Sequence, residues 1–141
     1  MQNMTSSPTL ESLSHTDLRL ADPIEDVRGR KVRDRDNREV GKVDDVYLDP
    51  SQRRARFLSV KSGDVFGIGG QRHLIPVDAV TIESDDVVVN ATTDQIHQGP
   101  RVDQDRSDPT ESASPIVLEV YEFYAVHDPF WSPTYEPPTW H

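Results

Sequence analysis

Between residues 25 and 90 the chain alternates short apolar-patterned runs with clusters of turn-forming residues. Val27 and Val32 are the clearest apolar positions of the first run; five residues apart, they would face opposite sides of a strict strand, so Gly29 is predicted to mark a bulge. Residues 34–38 read as a turn, with Asn37 in a left-handed position. In the second run, residues 40–49, Val46 and Leu48 alternate with Asp45, Tyr47 and Asp49, the pattern of a half-buried strand. Val40 and Val43 break that period beside Gly41, and residues 49–52 close a turn. The third run, residues 54–60, puts Arg54, Arg56, Leu58 and Val60 on one face and Ala55, Phe57 and Ser59 on the other. Both faces become apolar toward its end, which suits a strand covered on two sides. Residues 74–77 form the next strand, with Pro76 restricting it to an edge or bulge, and residues 80–82 and 87–89 supply the closing strands.

Strands this short, with internal glycines, imply tight curvature, and a barrel hides edges that an open sheet leaves exposed. The predicted fold class is therefore all-β, a small barrel of five or six short strands spanning residues 18–96. Residues 1–17, rich in Ser and Thr, are assigned to a flexible leader, and the polar residues 97–115 to a linker. Residues 116–141 form an acidic, aromatic and Pro-rich C-terminal segment. Ser114 and Pro115 suit the N-cap and first position of a short helix, with Val117, Val120, Tyr121 and Tyr124 as its apolar stripe. The β-branched content keeps a strand as the rival reading there.

Composition adds three constraints. There are no cysteines, so disulfides and thiolate metal sites are excluded, and a cytoplasmic location is expected. No run approaches the ~20 apolar residues of a membrane span, and the N-terminus lacks a basic start and apolar core, so neither membrane insertion nor secretion is expected. The net charge of −10 is uneven: residues 97–141 hold 8 acidic against 2 basic side chains, while residues 22–94 hold 15 against 12. Such a field repels nucleic acid at long range.

Candidate chemistry is sparse. The glycine cluster at residues 67–70 lacks the Lys-Ser/Thr and following helix of a phosphate cradle, so it reads as a structural turn. Asp44 and Asp45 are adjacent, hence on opposite strand faces, and with Asp49 they read as solvated or turn-capping carboxylates. His15, His73, His97, His127 and His141 show no ligand spacing, and no nucleophile motif is present. The expectation is no catalytic residue, no metal and no cofactor.

The order of these weak motifs resembles the PRC-barrel family, named for the cytoplasmic domain of the photosynthetic reaction-centre H subunit; a related barrel occurs in a bacterial ribosome-maturation factor. The resemblance is carried by Glu25-Asp26-Val27-Arg28-Gly29 through Val32, then Val40-Gly41-Lys42-Val43-Asp44-Asp45-Val46 through Asp49. It continues through Ala55-Arg56-Phe57-Leu58-Ser59-Val60, the glycine loop, and Leu74-Ile75-Pro76-Val77 with Val80. Tyr121-Glu122-Phe123-Tyr124 and Asp128-Pro129-Phe130-Trp131 are similar to the aromatic endings that follow some bacterial barrels. The resemblance implies a barrel without intrinsic catalysis, used for docking.

Seven of the 10 aromatic residues fall in the last 21 positions. Tyr121, Phe123, Tyr124, Phe130 and Trp131 are accordingly the candidate interaction residues, either packed back on the barrel or anchoring a partner. The leading expectation is a non-enzymatic adaptor that binds another protein and self-associates as a dimer. The alternative is an RNA- or ribosome-associated factor using Arg28, Arg30, Arg54 and Arg56, although interleaved acids dilute that basic stripe.

Overall fold

A computed structural model describes residues 9–62, 71–102, 108–111 and 114–138. The glycine cluster at 67–70 lies outside the described residues. Among the described residues seven strands form one curled sheet: β1 (Glu11–Ser12), β2 (Lys31–Arg33), β3 (Glu39–Asp49), β4 (Arg54–Ser62), β5 (Arg72–Pro76), β6 (Val80–Glu83) and β7 (Asp86–Val89). Two helices follow, α1 (Thr93–Gln98) and α2 (Pro115–Phe123). The sheet order is β5-β4-β3-β2-β7-β6, a half-barrel with β5 and β6 at its ends, joined by the 3-10 turn Val77–Ala79. The predicted all-β architecture is what the chain adopts; the seventh strand is the two-residue β1.

The eleven-residue β3 is the spine. It pairs with β4 along most of its length, with β2 through Lys42, Gly41 and Glu39, and with β1 through Leu48 and Tyr47. Three register shifts bend it. Val40 is the extra residue against β2, Asp44 the extra residue of β3 against β4, and Arg56 the extra residue of β4 against β3. Each bulge resets which face the following side chains take. That is why Val40, Val43 and Val46, each three apart, share one core, and why Ala55 joins Leu58 there. Gly41 allows the β4 backbone its close approach: a Cβ at that position would lie 1.9 Å from the Lys61 carbonyl oxygen.

Turn chemistry matches its residues. Asn37 has φ 67°, as expected, and Ser84 and Asp85 at φ 51° and 76° form the two-residue turn of the β6–β7 hairpin. Gly29 differs from expectation. It sits at φ 85° in a turn before β2, which begins only at Lys31, so Val27 is a buried loop residue and not part of a strand.

Two further expectations are corrected. Residues 10–15, inside the range assigned to a flexible leader, are docked. Leu10 is buried, β1 pairs with β3, and Ser12 and Ser14 donate to the buried Asp45 carboxylate. The start of the predicted linker is also structured. Thr92 and Gln95 form a capping box that starts α1, Ile96 plugs the barrel core, and residues 100–102 run beside β5 through Leu74 N–H to the Pro100 carbonyl and Val102 N–H to the Arg72 carbonyl.

The sheet is buried on both faces. Inside, an aliphatic core is built from β2 to β7 around Val32, Val46, Leu58, Val60 and Ile75. Outside, Tyr47, Phe57 and Leu74 form a second core with Leu10 and with Ile116, Val117, Val120 and Tyr121 of α2. Alternation beyond the Arg56 bulge in β4 and along β5 assigns Phe57 and Leu74 to one layer and Leu58 and Ile75 to the other.

Candidate interaction site

The C-terminal segment is the part of the molecule where apolar surface and buried charge converge. Ser114 precedes α2 and Pro115 opens it, as the sequence predicts. The helix is stopped by Ala125 at φ 58°, with Ala125 N–H bonded to the Glu122 carbonyl and Val126 N–H to the Tyr121 carbonyl. This is a Schellman ending, with alanine at the left-handed position that usually holds glycine. It turns the chain back so that residues 128–135 run beside α2 toward the turn after β3.

Tyr121 fixes that return. It is 3 % exposed, its ring lies 5.0 Å from that of Phe57, and its hydroxyl accepts a hydrogen bond from the Phe130 amide at 3.2 Å. Trp131 rests against Tyr121 at 6.0 Å and against Phe130 at 5.1 Å. Burial pushes the phenols of Tyr121, Tyr124 and Tyr135 up from their ordinary value, so all three stay neutral.

Arg56 is the second anchor. As the bulged residue of β4 it projects beneath the tail, where its Nε donates to Asp49 at 2.6 Å and its Nη2 to Gln52 at 2.9 Å. Its guanidinium lies over the rings of Phe130 (5.2 Å) and Tyr135 (5.4 Å). Asp49 also caps its own turn, accepting from Gln52 N–H and the Ser51 hydroxyl. Asp78, nearby on the 3-10 turn, has its carboxyl raised by burial, an effect only partly offset by Tyr135 and Arg56. A cleft of about 590 Å³ opens beside this cluster, between the 49–52 turn and the aromatic return of the tail.

The five predicted interaction residues therefore divide. Tyr121 is spent inside the outer core, and Tyr124 and Phe130 are half-buried against it. Phe123 and Trp131 remain 42 % and 41 % exposed, Phe123 lying over Gly99, where a Cβ would come within 2.8 Å of its ring. Sequence reasoning missed Leu118, at 60 % the most exposed large apolar side chain among the described residues. Its signal was its position off the predicted stripe, where an apolar residue has no intramolecular purpose.

The four predicted arginines do not form a basic stripe. Arg56 is 2 % exposed and belongs to the fold, a direct correction of its assignment as an RNA contact. Arg54 pairs with the nearly buried Glu25 at 2.8 Å, Arg28 with Asp26 at 2.8 Å, and Arg30 donates to the Asp85 carbonyl. Asp45 and Asp49, expected to be solvated or capping, are 6 % and 3 % exposed, although Asp49 does cap its turn. Asp45 instead holds the N-terminal strap, and the bulge at Asp44 leaves that residue outside to pair with Arg72.

A sequence description of the PRC-barrel domain matches residues 21–96, the stretch that builds β2 to β7 and the first part of α1. The chain belongs to the PRC-barrel family. No curated protein matches it by sequence. The matched residues thus supply nearly all of the inner core, while Leu10 and α2, which cover the outer face of the sheet, lie beyond them. Among the described residues no helix is long and apolar enough to cross a membrane, and no group of three or more His, Cys, Asp or Glu is placed to hold a metal ion.

Proposed function

We propose that this protein is a non-enzymatic, cytoplasmic PRC-barrel adaptor that recognises another protein through its C-terminal segment. One observation carries the reading: α2 buries one face on the sheet yet leaves Leu118 facing out, with the partly exposed rings of Phe123 and, on the return, Trp131 at its edges. Large apolar side chains grouped at the surface mark interaction sites more often than isolated ones do. The family assignment favours docking over catalysis.

Deleting the segment would be a poor test, because it would also uncover Tyr47, Phe57 and Leu74. Leu118 can be changed without touching that layer, and Trp131 touches it only through its contact with Tyr121. Leu118→Ser combined with Trp131→Ser is expected to lower the thermal midpoint through the lost Trp131 contact with Tyr121, to leave the chain folded, and to abolish capture of the native partner from lysate. Light scattering on the same samples reads self-association, which is expected to weaken if the same face joins two copies. A double variant that captures the same protein and keeps the same mass overturns the reading.

A further inference from the structure

The composition of the outward surface narrows what can dock on it. The last Lys or Arg in the chain is Arg106; the 35 residues after it contain six acids, Asp108, Glu111, Glu119, Glu122, Asp128 and Glu136, and no Lys or Arg. The same stretch carries three of the four large hydrophobic side chains exposed among the described residues, Leu118, Phe123 and Trp131. Cation-free acidity and exposed apolar surface therefore coincide.

On α2 they are interleaved. Leu118 and Glu122 are four apart, and with Glu119 they lie on the side opposite Ile116, Val117, Val120 and Tyr121, while Phe123 sits on the flank of the helix over Gly99. Leu118 precedes Tyr121 by one turn and Trp131 packs on Tyr121, so both exposed apolar residues border the same buried ring. A two-fold contact between copies through this face would set Glu119 and Glu122 against their own kind, which costs affinity. Nucleic acid and anionic lipid are repelled by the same charges. What complements such a face is a segment with an apolar stripe flanked by cations.

Building on the adaptor reading above, we propose that the outward face of α2 with Trp131 is a docking surface for a basic amphipathic helix of a partner protein, and not a contact between copies of this chain. Leu118 and Trp131 supply the apolar anchors, and Glu119 and Glu122 pair with flanking Lys or Arg.

The test uses the full chain and a synthetic helical peptide of about 18 residues, long enough to fold on a surface. The peptide carries Leu at i, i+3, i+4 and i+7 and Lys elsewhere, and its twin has every Lys replaced by Glu. Titration calorimetry is expected to show binding of the Lys peptide and none of the Glu twin, with affinity falling between about 0.05 M and 0.3 M salt. Leu118→Ser is expected to weaken the Lys peptide ~10-fold, and Glu119→Lys with Glu122→Lys at least ~10-fold with loss of the salt dependence. Undiminished binding to either variant would place the peptide elsewhere on the acidic surface and overturn the proposal. If the Lys peptide never binds while Leu118→Ser with Trp131→Ser still loses the native partner, the partner chemistry is wrong and the adaptor reading stands. If that double variant also keeps the native partner, both fail.

Discussion

The two faces of the β3–β4–β5 sheet solve the same burial problem with different means. The inner face is aliphatic and closed by the curl of the sheet itself, with Val46, Leu58 and Ile75 meeting other strands of the matched domain. The outer face is aromatic, with Tyr47, Phe57 and Tyr121, and is closed by segments from both ends of the chain, Leu10 and α2. The matched residues thus build most of the inner layer and only part of the outer one. The packed structure is larger than the stretch matched by the family, and the outer layer draws on residues from both sides of it.

The largest expected effect tests whether the layers are separate. Phe57→Ala and Tyr121→Ala should each cost ~3–5 kcal/mol, as removal of a buried aromatic does. Because their rings sit 5.0 Å apart, the double variant should deviate from additivity by ~0.5–1.5 kcal/mol in denaturant titrations. Leu58→Ala, one residue along β4 but on the inner face, should add to Tyr121→Ala within ~0.5 kcal/mol. Equal coupling of Leu58 and Phe57 to Tyr121 would mean one continuous core.

A smaller effect separates the faces by pH. His73 is fully buried on the same side of β5 as Ile75, beneath the stacked ring of His97 at 5.4 Å, and neither of its ring nitrogens has a hydrogen-bond partner. Burial, helped by His97 and Arg101, lowers its pKa from 6.5 to about 4. The unfolded chain therefore binds this proton first. Its contribution is complete above pH ~6.5 and is lost as pH falls toward 4, at no more than ~1.4 kcal/mol per unit. Urea melts between pH 7.5 and 4.5 should show a steeper decline in the parent than in His73→Leu, and parallel declines would refute the assignment.

The smallest effect concerns only the outer layer. Ala125 occupies a left-handed helix terminus, so Ala125→Gly should stabilise by ~0.5–1 kcal/mol, seen as a slightly higher thermal midpoint. A loss of stability would mean that the alanine methyl contributes packing worth more than its backbone strain.

Much of this was legible in the residues. The alternation in β3 and β4, the Asn37 turn, and Ser114-Pro115 opening α2 all follow from local chemistry that tertiary structure does not override. Bulges were visible as broken periods at Val40 and Val43, but their placement at Asp44 and Arg56 depends on the partner strand. Leu10 gave no signal, since a single apolar residue in a Ser/Thr-rich stretch docks only because β3 leaves an edge and the outer face a gap. Helix α1 was announced by Thr92 and Gln95, yet only Ile96 is buried in it, too little periodicity to stand out. Arg56 was misjudged because a bulge turns its side chain under the tail, something a single strand's alternation cannot reveal.

Because α2 is tied to the barrel through the chain that follows α1, it acts as a ligand supplied in cis. Covalent linkage over a short span can hold such a ligand at an effective concentration in the millimolar range. A foreign helix seeking Tyr47, Phe57 and Leu74 would have to outcompete that resident at every encounter. A visitor to the outward side of α2 meets no such competitor, so evolution can retune Leu118, Glu119 and Glu122 for a new partner while the barrel beneath keeps its cover.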